Sequence, residues 1–263
     1  MIDYHIHTSL SADCDVDMME MAAAADKKGL KEICFTDHYD IDFPSEDDYT
    51  VDFELYAKQL SEVKAAYPQI NIRKGVEAGL EPHSFHRFEK LLENEELDYV
   101  VVSVHVVCGL DPYFDTFWKS TGRQKAFDEY ARLSLECVKA ADFYDVFGHL
   151  GYISKYCPMD NNLFKYSDYT GVVDEILTTL VERGQGLEVN TSGLLKTGNL
   201  MPDLPIIQRF KQLGGEIVTI GSDAHASELV GYAADYTLNA LKTLGFKYVC
   251  AYDKRVPRFI PIP

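Results

Sequence analysis

The sequence predicts an α/β fold in which a parallel sheet closes into a barrel. Three observations carry that expectation. Short apolar runs alternate with amphipathic stretches from end to end, the chain has 263 residues, and none of the runs is followed by a phosphate-cradling GxGxxG or GxxxxGK[ST] loop. Strand and helix in alternation imply parallel neighbours joined by right-handed crossovers, and seven or eight such units in a chain of this length imply a barrel. Period alone leaves a doubly wound open sheet as the alternative; the missing glycine loops count against its nucleotide-binding forms.

The elements follow in order along the chain. Met1 to His7 reads as the first strand, and Val16 to Lys28 as the first helix, with Gly29 suited to its C-cap. Lys31 to His38 is the second strand, Asp52 to Tyr67 the helix ended by Pro68, and Asn71 to Gly79 the third strand. Helical spacing over 83–95 leads to Leu97 to His105 (LDYVVVSVH), a β-branched run that makes a fourth strand. Beyond a long aromatic loop over 106–122 come a helix over 125–141, a fifth strand at 144–149 and a helix over 171–183 closed by Gly184. A sixth strand at 186–190, a helix over 204–213 and a seventh strand at 216–225 follow; a helix over 226–244 and a short strand at 247–252 finish the chain. With no linker or low-complexity tract to divide it, residues 1–263 read as one domain.

Composition narrows the function classes. Lys plus Arg is 25 against 42 for Asp plus Glu, a net charge of −17, and a field of that sign repels nucleic-acid backbones and anionic membranes, so neither is an expected partner. The six cysteines form no CxxC pair, which favours a reduced, cytoplasmic protein over a disulfide scaffold. The opening MIDYHIH lacks the basic and apolar regions of an export signal, and no run approaches the ~18 apolar residues of a membrane span.

The chemistry collects at strand ends. Histidines occupy positions 5, 7, 38, 83, 86, 105, 149 and 225, and all but His83 and His86 fall at or just past the C-terminal end of a predicted strand, where barrels build their active sites. One such histidine reads as an ordinary polar residue; a set at equivalent ends of several strands reads as a ligand cluster. His5 and His7 lie one residue apart in a strand and so share a face. Glu77 and Asp223 stand in otherwise apolar runs, where an unpaired charge costs several kcal/mol and a bound cation removes that cost. Imidazoles and carboxylates in this number exceed what one tetrahedral or octahedral ion uses, so two or three ions are expected. Divalent ions ~3.5–4 Å apart are typical of hydrolases of phosphoryl and related groups.

These residues carry a resemblance. DxHxH at Asp3 to His7, Asp13, TDH at Thr36 to His38, Glu77, SVH ending at His105, GH ending at His149 and SDAH from Ser222 to His225 resemble the ordered motifs of the polymerase and histidinol phosphatase (PHP) superfamily. HTxxSxD from His7, the long loop after His105, GHLxxxxK from Gly148 and EVNTSG from Glu188 resemble its stand-alone histidinol-phosphatase group. The resemblance implies a distorted (β/α)7 TIM-like barrel holding three divalent ions, described for the family as zinc, iron or manganese. It implies His5, His7, Glu77 and Asp223 on the first ion, Glu77, His105 and His149 on the second, and Asp13, His38 and His225 on the third. It further implies a metal-dependent phosphomonoesterase acting on a small-molecule substrate, L-histidinol phosphate of histidine biosynthesis. Alternatives are a phosphatase for another small phosphomonoester or for phosphotyrosine, and a metal-binding regulatory domain without catalysis.

Asp13, Glu77 and His225 are the catalytic candidates, with Asp13, His225 or water able to protonate the departing alkoxide. Asp3 and Asp37 are expected behind the ligands, each accepting a hydrogen bond from the remote nitrogen of a ligating histidine; helix capping is the alternative for both. Arg123, Lys155 and Lys196 are the candidate phosphate-binding cations, although the arginine that often follows the family's TSG turn is replaced here by Leu194, Leu195 and Lys196. Tyr113, Phe114, Phe117 and Trp118 make either a lid or a small core beneath the loop.

Overall fold

The computed structural model describes residues 1–263. The chain opens with β1 (Ile2–Ile6), α1 (Met18–Lys27), β2 (Glu32–Phe35), β3 (His38–Asp40), α2 (Phe53–Ala66) and β4 (Asn71–Gly79). Asp17 and Asp52 start the first two helices, their carboxylates accepting from Glu20 N and from Glu54 N and Leu55 N, which satisfies amides that have no partner inside a helix. Next come α3 (Phe85–Leu92), β5 (Tyr99–Ser103), α4 (Asp115–Thr121), α5 (Arg123–Ala140), β6 (Val146–Phe147) and α6 (Ile153–Tyr156). The last third holds α7 (Thr170–Arg183), β7 (Gly186–Asn190), α8 (Gly193–Thr197), α9 (Leu204–Gln212), β8 (Val218–Gly221), α10 (Ala234–Thr243), β9 (Tyr248–Asp253) and β10 (Val256–Pro261).

The parallel strands run in the order β1, β2, β4, β5, β6, β7, β8, with β3 paired beside the end of β4. Each of β1, β2, β5, β6, β7 and β8 is buried along its whole length, as expected of parallel strands covered on both faces. The sheet turns back on itself, because His5 O accepts from Asp223 N at 2.8 Å and His7 N donates to Ala224 O at 3.0 Å. The architecture is therefore the expected distorted seven-stranded barrel.

Four local departures have physical causes. The strand expected over 31–38 splits into β2 and β3 because the Asp37 carboxylate turns aside to accept from Thr8 and Ser11. The loop over 106–122 contains α4, which seats Phe117 and Trp118 in the core. The helix expected over 226–244 forms only over Ala234–Thr243, since Gly231 and Ala233 adopt φ of 67° and 52° just before it. The final strand is half of an antiparallel hairpin, β9 with β10, turning through Lys254 and Arg255 at positive φ.

That hairpin closes the N-terminal end of the barrel. Tyr4 Oη accepts from Tyr252 N at 2.8 Å, Arg255 Nε reaches Asp145 Oδ2 at 2.5 Å, and Arg258 pairs with Glu32 at the start of β2. The opposite, C-terminal end is left open to the loops.

Candidate metal centre

At the open end, β1 contributes His5 and leads into His7, β3 contributes His38, β4 Glu77, and the turns after β5, β6 and β8 contribute His105, His149, Asp223 and His225. Register explains part of this convergence: β3 pairs with β4 so that His38 lies directly beside Glu77. Glu77 is fully buried, yet its two oxygens have five imidazoles within 3.4 Å: His5, His7 and His38 about Oε2, His105 and His149 about Oε1. Asp223 Oδ1 is 3.4 Å from His7 Nε2, and Asp13 Oδ2 lies 3.3 Å from His225 Nε2 and 3.5 Å from His38 Nε2. All the expected ligands thus stand together, and their donor atoms fall into four overlapping groups within 4.8 Å.

The remote ring nitrogens of four of the histidines are tied down. His5 Nδ1 meets Glu188 Oε1 at 2.6 Å, His105 Nδ1 meets Asp40 Oδ2 at 2.6 Å, His7 Nδ1 meets Ser11 Oγ at 3.0 Å and His225 Nδ1 donates to Asp223 O at 3.0 Å. Each contact places the ring proton on Nδ1 and turns an Nε2 lone pair inward, the arrangement ligating histidines need. The inward nitrogens then face one another, His5 to His7 at 3.1 Å and His105 to His149 at 3.4 Å, and Glu77 Oε2 and His38 Nδ1 are buried without hydrogen-bond partners. Lone pairs crowded in this way fit divalent metal ions.

Charge follows the same layout. Burial opposes ionisation of Glu77, but His5, His105 and His38 overrule it and hold the carboxyl well below its usual range. Burial lowers His105, but Asp40 and Glu77 lift it to about 10; His5 is raised in the same manner by Glu188 and Glu77. His7, pressed by burial and by His225 and His38, is lowered. Asp223 sits at φ 55°, a left-handed backbone few aspartates adopt and one often found at functional sites.

The PHP domain pattern matches residues 3–192. The chain belongs to the PHP family. It is 30% identical over 98% of its length to a Clostridium acetobutylicum protein named probable histidinol-phosphatase, covering 99% of that protein. It is 29% identical to the histidinol-phosphatase of Lactococcus lactis, covering 96% of this chain and 94% of that one. A crystal structure of the lactococcal histidinol phosphate phosphatase complexed with zinc, L-histidinol and phosphate superposes with a TM-score of 0.89 at 25% identity, covering 98% of both chains.

Around the PHP centre the remaining expected residues divide. Asp3 accepts from Ser222 N at 2.9 Å, Ser222 Oγ at 2.5 Å and Gly231 N at 2.7 Å, so it anchors the loop carrying Asp223 and His225 and meets no imidazole ring. Asp37 reaches a ligand only through Ser11, whose hydroxyl donates to it at 2.8 Å and contacts His7 Nδ1. The carboxylates that do meet ligand rings are Glu188 and Asp40. Glycines make room for both, since a Cβ at Gly221 would overlap Glu188 and one at Gly79 would overlap the Asp40 carboxylate. The sequence signal for Glu188 is a lone charge between Leu187 and Val189 in a buried strand; for Asp40 it is an aspartate two residues beyond His38.

Above the centre lies a cavity of about 590 Å³ whose lining includes Asp13, His38, His149, Lys155, Lys196 and His225. Lys155 is nearly buried and pairs with Asp223 Oδ2 at 2.8 Å. Arg123 is not among the lining residues: it opens α5, donates to Asn161 O at 2.9 Å and lies over the Phe127 ring. The aromatic segment divides, with Tyr113 and Phe114 on the cavity wall and Phe117 and Trp118 in the core. His83 and His86 are exposed and pair near Asp42 and Glu89, away from the ligands.

Proposed function

We propose that this PHP protein hydrolyses L-histidinol phosphate to L-histidinol and phosphate as a metal-dependent phosphomonoesterase of histidine biosynthesis. The observation that carries this reading is the convergence of nine ligand-type side chains, six of them lining a cavity of about 590 Å³, within the ~300–1,000 Å³ usual for small-molecule sites. The full-length similarity to enzymes of that name supports it.

We assign three ions to the centre, held by His5, His7, Glu77 and Asp223, by Glu77, His105 and His149, and by Asp13, His38 and His225. Zinc is the metal named for the lactococcal relative, and the same nitrogen and oxygen donors also suit iron and manganese. When bound, such ions supply an activated water and positive charge for phosphoryl oxygens.

The chain's own groups do the rest. Lys155 and Lys196 on the cavity wall offer cationic charge to a phosphate dianion. Ser103 donates to Glu77 Oε1 at 2.6 Å and fixes the shared carboxylate in place. Asp13 and His225 have side chains 37% and 28% exposed, so they are the ligand groups open to solvent; His38 and His225 hold the Asp13 carboxyl far below its usual range against the effect of burial, which leaves His225 or water to protonate the leaving oxygen. No helix is long and apolar enough to cross a membrane. We take residues 1–263 as one cytoplasmic PHP barrel domain, because β8 and the loop after it, beyond the matched segment, complete both the sheet and the ligand set.

The test is release of phosphate from L-histidinol phosphate by protein loaded with zinc or manganese. Glu77→Ala and His149→Ala should each abolish turnover while circular dichroism reports an intact barrel. Full activity after either change, or no activity in the loaded wild type, overturns the reading.

A further inference from the structure

We propose that Asp111 selects a cationic substrate, its carboxylate receiving the ammonium or imidazolium group of an amino-alcohol phosphate whose phosphate lies over the metal centre. This rests on the phosphatase reading and adds the residue that reads the alcohol.

Among the aspartates on the cavity wall, three are already engaged. Asp13 stands between His38 and His225, Asp40 holds His105, and Asp223 holds Lys155 and accepts from Ser192 at 3.0 Å. Asp47 is exposed to water. Asp111 differs from all of these. It is only 6% exposed, lines the cavity, and takes both of its hydrogen bonds on Oδ1, from Tyr113 N at 2.8 Å and Tyr152 Oη at 3.1 Å. Its Oδ2 has no hydrogen-bond donor, and no lysine or arginine pairs with it. A largely buried carboxylate with one oxygen unpaired and facing a cavity can take a cation from a ligand there.

Placement and surroundings agree with a cation subsite. The Tyr152 ring packs 5.2 Å from the His105 ring and 5.1 Å from the His149 ring, while its hydroxyl reaches Asp111. Asp111 is therefore set one tyrosine length from the metal ligands, a separation that a short amino-alcohol phosphate can bridge. Tyr156 lies 5.2 Å from Tyr152 and 5.3 Å from Tyr113, ring centroid to centroid, so three tyrosines wall this part of the cavity. Lys155 stands beside this group, its ammonium 5.5 Å from the Tyr156 ring centroid and 2.8 Å from Asp223 Oδ2. A carboxylate one tyrosine length from the metal ligands matches a zwitterionic phosphomonoester.

The experiment compares zinc-loaded wild type and Asp111→Asn on L-histidinol phosphate and on p-nitrophenyl phosphate, which carries no cation. The ratio of kcat/KM for the cationic over the cation-free ester should fall at least about tenfold in the variant, through a raised KM, as expected for loss of a charge-assisted hydrogen bond. A ratio within twofold of wild type overturns the assignment. Should the variant fail to fold, wild type alone decides with O-phosphoethanolamine against ethyl phosphate: at least a tenfold preference for the amine supports a cation subsite, and less than threefold refutes it. A wild type that hydrolyses p-nitrophenyl phosphate without preferring cations defeats only this inference, whereas one that hydrolyses no ester defeats the phosphatase reading as well.

Discussion

Replacing Glu188 by glutamine tests how much of the metal centre depends on groups that never touch an ion. The carboxylate accepts at both oxygens: Oε1 from His5 Nδ1 at 2.6 Å, Oε2 from the His149 backbone N–H at 2.7 Å and from Asn190 Nδ2 at 3.2 Å. An amide can accept at only one end. Whichever way the substituted side chain turns, its NH2 group faces a buried donor, either the His5 ring or the His149 amide, and an unsatisfied buried donor costs about 1–3 kcal/mol. At ~2–4 °C per kcal/mol for a chain of this size, Glu188→Gln should melt roughly 2–12 °C lower. Loss of the acceptor that fixes His5 should also weaken metal binding or turnover about 10–100-fold. Chelator competition with zinc, kcat/KM on L-histidinol phosphate and a thermal melt measure all three. A variant that binds zinc within twofold of wild type and melts within a degree of it would refute the claim that Glu188 orients the His5 ring.

Two further outcomes are expected. In the ion-free site His5, His38 and His105 are held above the usual histidine range and so carry protons at pH 7, against the lowering effect of burial, whereas His7 is lowered and enters neutral; zinc must displace those protons, so apparent affinity should rise with pH toward the value of about 10 for His105. Calorimetric titration in two buffers of different ionisation enthalpy should show more than one proton released per chain, and none released would contradict the charge layout. Arg258→Ala, at the closed end of the barrel, removes one of the two arginines paired with Glu32 while Arg73 remains at 3.1 Å; a thermal melt should fall by the equivalent of about 1–2 kcal/mol, discounted for the partial exposure of Arg258, with kcat/KM unchanged.

The legible part of this protein was what strand ends and motif order encode. His5, His7, His38, His105 and His149 each follow a run whose apolar character marks it as a buried strand, so their common end of the barrel could be read before any geometry was known. Glu188 and Asp40 were hidden because their roles arise from packing across strands. Glu188 acts on His5 from a strand far along the chain, through space left by Gly221, and no local spacing records that. The same holds for Asp3, whose position beside His5 suggested a ring contact but whose carboxylate turns to Ser222 and Gly231. Strand β10 escaped because Pro257 and Pro261 interrupt its pattern and its turn uses Lys254 and Arg255 where a hairpin more often shows Asn or Gly.

The two ends of the barrel solve one physical problem differently. Each buries a glutamate: Glu32 at the closed end, Glu77 at the open end. Glu32 receives Arg73, Arg258 and the Tyr4 hydroxyl, groups that supply charge or hydrogen bonds permanently and ask nothing of the solvent. Glu77 receives imidazoles, of which His5, His7 and His105 have their remote nitrogens already committed to Glu188, Ser11 and Asp40. An imidazole can carry the compensating charge only by holding a proton, and it surrenders that proton when its inward lone pair takes a cation. Built this way, the open end exchanges protons for metal ions, while the closed end, with no such exchange available, holds the sheet in register whatever the loading state above it.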